Sequence, residues 1–211
     1  MGFFILIGIL LLTYIMVISK RIHSVISIFR WQSLFLFIAT FMAALREVHV
    51  DLFIVAFFLL ILKVIIIPDF LFKTIKQVKT KEDVGLIINP QFSLFFALLA
   101  TYMSWLFALQ ITPDFNTVTR VIVAISFSII LMGMFLMVAR LKALVQIIGL
   151  LVMENGLFLL ASSVSGGMPF FVEIAIFFDV FISVIILGVF VYRINKLFTH
   201  IDVDKLSDLK G

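Results

Sequence analysis

Long apolar runs alternate with short polar links along this chain. Within each run the hydrophobic residues occupy every side, not alternate positions. Seven runs stand out, at about 2–19, 24–45, 50–68, 91–111, 118–139, 143–163 and 169–192. A helix crossing the hydrocarbon core of a bilayer needs roughly 20 residues. Membrane β-strands are shorter and alternate in polarity. The pattern therefore predicts an all-α, polytopic membrane protein with seven transmembrane helices. The first run has no basic region before it and no small-residue cleavage site after it, so it reads as a retained span and not a signal peptide.

Composition agrees. The chain is 64% hydrophobic, with 26 phenylalanines among 211 residues, where a soluble domain is nearer 45–50% apolar. Seven spans with short links leave no room for a sizeable soluble domain. Cysteine is absent, which excludes disulfides, thiolate chemistry and iron–sulfur ligation by this chain. The net charge of +4 does not point to nucleic acid, because the basic residues follow the links. Lys20 and Arg21 lie in the first link, Lys73, Lys76, Lys79 and Lys81 in the third, Arg140 and Lys142 in the fifth, and Arg193, Lys196, Lys205 and Lys210 in the tail. The fourth and sixth links hold none, and the second holds Arg46 alone. By the positive-inside rule the N-terminus lies outside and the C-terminus in the cytoplasm, in a multi-pass protein of the cell (plasma or inner) membrane. The third link also carries an amphipathic pattern in Phe70, Leu71, Phe72, Ile75 and Val78. It reads equally as a helix on the membrane surface or as a solvated basic loop.

The candidate chemistry is carboxylic. Glu154 falls near the middle of the sixth run, and the seventh carries Glu173 and Asp179. An acid at the bilayer centre costs about 2.5–3.5 kcal/mol on insertion scales, so a chain that keeps three in two consecutive spans is expected to use at least one. Counted from the turn near Gly166, Glu154 and Asp179 lie twelve and thirteen residues deep and Glu173 seven. That puts the first two at one level and Glu173 roughly 9 Å closer to the outside. Desolvation favours the neutral acid, the state from which a proton relay starts. The competing reading is a protonated acid bonded to a neighbouring helix carbonyl. Lys63, five residues before Pro68, is either a relay partner or a side chain that snorkels to the cytoplasmic surface. Arg30 is expected to snorkel, and Gln32, Gln146 and Asn155 to hydrogen-bond between helices.

Much other chemistry is excluded. His23, His49 and His200 lie at run ends or in the tail without metal-ligand spacing, and none could ligate haem within a span. There is no nucleophile–base pair and no nucleotide loop. A retinal receptor would need a lysine in the last span, which has none. No cofactor, metal or catalytic residue is expected.

The last third of the sequence is similar to a known family. Ile148-Gly149-Leu150, Met153 and Asn155, then Glu173 with Ile176, and an ending with a basic cluster, Ile201-Asp202 and Lys210-Gly211 resemble the chain-K-type subunit of respiratory complex I. The first intramembrane glutamate of that pattern aligns with Leu151. Glu154 stands three residues later, nearly one turn on and on about the same face. Length, run count and Met153-Glu154-Asn155-Gly156 together resemble the E-type membrane subunit of hydrogenase-4 and formate hydrogenlyase complexes over the whole chain. The resemblance implies a five-helix region over 1–139, then a chain-K-like two-helix region and cytoplasmic tail over 140–211. It also implies a cofactor-free membrane-arm subunit in a complex-I-like hydrogenase. Its carboxylates would serve proton translocation, beside antiporter-like subunits and a quinone- or hydrogenase-arm subunit. The alternatives are a chain-C-type subunit of a multisubunit sodium/proton antiporter and a non-conducting membrane scaffold.

Overall fold

In a computed structural model of the chain, the described residues are 2–47, 50–78, 84–85 and 87–164. The chain divides into two compact units, Met1–Ile176 and Phe177–Gly211. Every described residue belongs to the first. The seventh run, with Glu173 and Asp179, lies outside the described residues.

The described residues are all-helical. The helices are α1 (Gly2–Ile18), α2 (Ile22–Glu47), α3 (Val50–Phe58), a π-helical segment (Leu59–Ile66), α4 (Ile67–Val78), α5 (Pro90–Ile111), α6 (Thr117–Ala139) and α7 (Ala143–Val164). Five stretches are long and apolar enough to cross a membrane: Ile22–Leu45, Leu52–Lys76, Pro90–Ile111, Thr117–Ala139 and Ala143–Ser163. Phe3–Ile18 is apolar but shorter. This is the architecture of a helical membrane protein.

The third helix does not stop at Pro68. In an α-helix the proline ring would press on the carbonyl of Val64, four residues back, and supply no N–H. The chain meets this by widening its turns beforehand. Ile67 N–H bonds to Leu62 O, five residues back, and α4 continues beyond. α4 is amphipathic, as its pattern suggests: Leu71, Thr74 and Ile75 are buried while Asp69, Lys73 and Lys76 are exposed. Its Phe72 ring stacks on His23 of α2 at 5.5 Å and receives the Arg30 guanidinium at 5.6 Å. Arg30 also pairs with Asp69.

Small residues set the helix spacing, as expected where helices must meet without a hydrophobic drive between them. α5 buries Ser93, Ala97, Ala100, Ser104 and Ala108 and leaves Phe92, Phe95, Leu98 and Tyr102 exposed. α6 and α7 touch backbone to backbone. A Cβ at Gly133 would lie 2.5 Å from Met153 N, and one at Gly156 would lie 2.9 Å from Ile130 N. Both polar residues of α1 tie it to a neighbour. Tyr14 OH lies 2.6 Å from Thr101 Oγ1 of α5, and Thr13 reaches α2.

The links are bound by polar groups. Asn116 caps α6 by accepting from Thr119 N at 2.8 Å. One turn into α6, Arg120 donates to Thr112 O at 3.0 Å and Pro113 O at 3.2 Å. Its charge thus closes the α5–α6 link, the one counted in the sequence as non-basic. Arg140, counted as a link cation, is fully buried and donates to Val17 O at the end of α1. Gln146 bonds to Arg140 O at 2.8 Å. It therefore fastens the α6–α7 link instead of joining two helices, because it lies within one turn of the start of α7.

Candidate functional site

The close contact with α6 fixes how α7 is turned. At about 100° per residue, Gly149, Met153 and Gly156 share the face against α6. Glu154 and Asn155 flank the opposite side, toward α2 and the π-helical segment. A polar residue on that side has no water to meet, so its partners must come from the helices.

Lys63 supplies them. It lies in the middle of the π-helical segment, and its Nζ is 3.4 Å from Glu154 Oε2, with the two side chains 0% and 7% exposed. A lysine that snorkelled would show its ammonium at the surface, so the structure removes that alternative. The physical reason is the partner. Asn155 Oδ1 accepts from Lys63 Nζ at 2.9 Å beside the Glu154 carboxylate, and a bundle interior offering two acceptors can hold the amine where lipid could not. Arg30, in contrast, does lie at the partly exposed edge, on Asp69 and Phe72.

The amides extend the site. Asn155 Nδ2 donates to Gln32 Oε1 at 3.3 Å and approaches Ser33 Oγ at 3.5 Å. Gln32 Nε2 donates to Thr13 Oγ1 at 2.7 Å, and Thr13 Oγ1 donates to Ile9 O at 2.8 Å. All donors point one way, from the ammonium of Lys63 through α7 and α2 to a carbonyl of α1. Each oxygen in the chain faces the positive end, and bonds aligned in this sense polarise one another. The chain ties α1, α2, the π-helical segment and α7 into one polar seam inside an apolar bundle.

The structure thus joins two of the four sequence-predicted relay residues, Glu154 and Lys63. Glu173 and Asp179 lie outside the described residues. Gln32 and Asn155 bond between helices as expected. Thr13 and Ser33 were not anticipated. Thr13 could have been found as a hydroxyl within the apolar run of α1, whereas the contact of Ser33 depends on how α2 is rotated. Among the described residues no three His, Asp or Glu side chains gather to hold a metal ion.

The chain is similar to a known protein over nearly its full length. An uncharacterized protein of Mycobacterium tuberculosis, Rv0085, is 24% identical over 204 residues, covering 96% of this chain and 93% of that one. No family model matches, and no solved structure matches.

Proposed function

We propose that this chain is a membrane-arm subunit of a complex-I-like, membrane-bound hydrogenase of the hydrogenase-4 type, and that it moves protons through the Lys63–Glu154 pair. In this reading it spans the cell membrane seven times, N-terminus outside and C-terminus in the cytoplasm. Glu173 and Asp179 continue the path in the seventh span. Antiporter-like subunits and a quinone- or hydrogenase-arm subunit are its partners, and redox chemistry takes place in them.

The buried ion pair is the observation that carries the reading. Transfer of one proton from the Lys63 ammonium to the Glu154 carboxylate neutralises both groups. Reprotonation of Lys63 and release from Glu154 restore the pair. Where Lys63 gains its proton as Glu154 releases its own, the pair avoids a lone charge facing hydrocarbon, the state that costs most. The π-helical segment adds to the case, because such turns are frequent at functional sites.

The polar seam equally favours a second reading, a scaffold in which the pair only holds four helical segments together. Substitutions separate the two. Glu154→Gln keeps shape and a hydrogen-bond acceptor but cannot ionise. The double substitution Lys63→Met with Glu154→Leu replaces the pair by apolar side chains of similar size. Inverted membrane vesicles from cells carrying each variant should contain the assembled complex at normal level. Proton uptake coupled to hydrogenase turnover should fall at least about tenfold. Normal uptake in the assembled double variant would leave the scaffold reading standing. Identification of the co-purifying subunits tests the complex type: a nickel–iron subunit supports the hydrogenase, and antiporter subunits alone support the sodium/proton antiporter.

A further inference from the structure

We propose that the cleft between the end of α1 and the start of α2 binds one anionic phospholipid. The headgroup phosphate would meet its serines and an acyl chain its isoleucines. The inference does not depend on proton transfer through Lys63 and Glu154.

The cleft has a volume of about 560 Å³. It is lined by the polar Ser19, His23, Ser24 and Ser27 and by the apolar Ile15, Ile18 and Ile28. No carboxylate lines it. That mixed lining suits a phospholipid, whose phosphate accepts hydrogen bonds from hydroxyl groups while its chains need hydrocarbon contact.

The surrounding charge selects the headgroup. Lys20 and Arg21 are exposed and occupy the link between Ser19 and His23, two residues that line the cleft. Lys73 is exposed and adjoins Phe72, whose ring stacks on His23 at 5.5 Å. Lys20 and Arg21 are thus within two residues of Ser19, and Lys73 follows the residue whose ring stacks on His23. The carboxylate of Asp69, one turn before Lys73, is paired with Arg30. Basic pockets between transmembrane helices, at the end of the bundle that carries the positive charge, have this arrangement where they hold anionic headgroups. A zwitterionic lipid would fit the same walls but would gain less from these cations.

The experiment uses the full chain with any co-purifying subunits, in mild detergent. Dioleoyl-phosphatidylglycerol or dioleoyl-phosphatidylcholine is added in turn, and bound lipid is counted by native mass spectrometry. The wild type should retain one phosphatidylglycerol under activation that strips phosphatidylcholine. Lys20→Gln and Arg21→Gln should each weaken retention about fivefold, the effect of one cation at a lipid surface. Ser27→Phe fills the cleft and leaves those cations in place, so it should abolish retention while helical circular dichroism stays unchanged. Equal retention of the two lipids by the wild type would overturn the proposal. So would undiminished phosphatidylglycerol binding to Ser27→Phe, which would place the lipid on the basic surface and not in the cleft.

Discussion

Lys63 and Glu154 illustrate how a bundle interior treats opposite charges. Each alone would be expelled or neutralised, but together, with Asn155 at 2.9 Å from the amine, they are retained. Their pairing makes a specific energetic prediction. Breaking a buried pair from one side costs about 3–5 kcal/mol, whereas replacing both members by apolar side chains is often close to neutral. Glu154→Leu and Lys63→Met should therefore each lower the unfolding midpoint in detergent strongly, and the double variant should recover most of the loss. A double variant as unstable as the worse single one would mean that the two side chains contribute separately. Gln32→Leu should have a smaller effect, about 0.6–2 kcal/mol, the range of single hydrogen bonds between membrane helices. The acid in the middle of an apolar helix was legible in the sequence because cost alone singles it out. The amine was ambiguous, since the same five-residue offset from Pro68 suits both a snorkelling and a buried lysine. Only the rotation of α7 decides between them.

At the scale of elements, that rotation is set by glycine. Gly133 of α6 and Gly149 and Gly156 of α7 allow the two backbones to meet, and the 2.5 Å gap between a Cβ on Gly133 and Met153 N leaves no room for even a methyl group. Gly133→Ala should push the helices apart at an overpacking cost of about 1–3 kcal/mol. Because Met153 precedes Glu154 in the chain, it should also loosen the Lys63 contact. The measurement is the unfolding midpoint of Gly133→Ala in wild type compared with the Lys63→Met, Glu154→Leu background. A smaller loss in that background indicates coupling between packing and ion pair, and equal losses would show none. The six described apolar helices were legible as runs because hydrocarbon demands length and apolarity. The extension of the third helix through Pro68 was not, because sequence rules treat proline as a stop and the π-helical turn that accommodates it has no signature in hydropathy. The helix faces were equally hidden. Runs that are apolar all round carry no marked periodicity, so which side of α7 meets α6 emerges only from packing.

For the described part of the molecule as a whole, the end bearing Lys20, Arg21 and Lys142 is held by a short strap. Val84 N donates to Lys20 O at 3.1 Å, Leu141 N donates to Gly85 O at 3.0 Å, and Ile87 N donates to Ala139 O at 3.3 Å. The strap thus joins the α1–α2 link to the α6–α7 link, and Arg140 adds a bond from the second link to Val17 O. Charge sorting in the sequence reads all these cations alike, as facing headgroups or water. The structure separates Arg140, which is buried as a fastener, from Lys20 and Arg21, which are exposed. The strap turns at Gly85, where φ is +65°. A side chain in that conformation costs about 1–2 kcal/mol, and a Cβ there would also sit 3.1 Å from Leu141 Cβ. Gly85→Val should therefore open the strap without disturbing the polar seam near the middle of the bundle. Limited trypsin digestion of the detergent-solubilised protein reads this directly. Cleavage after Lys20 and Arg21 should accelerate about tenfold, the factor that 1.4 kcal/mol of local opening gives, while the helical content of the uncut protein stays constant. An unchanged cleavage rate would mean that the α1–α2 link is held by its own turn and by Arg140, and that the strap contributes nothing to closing this end.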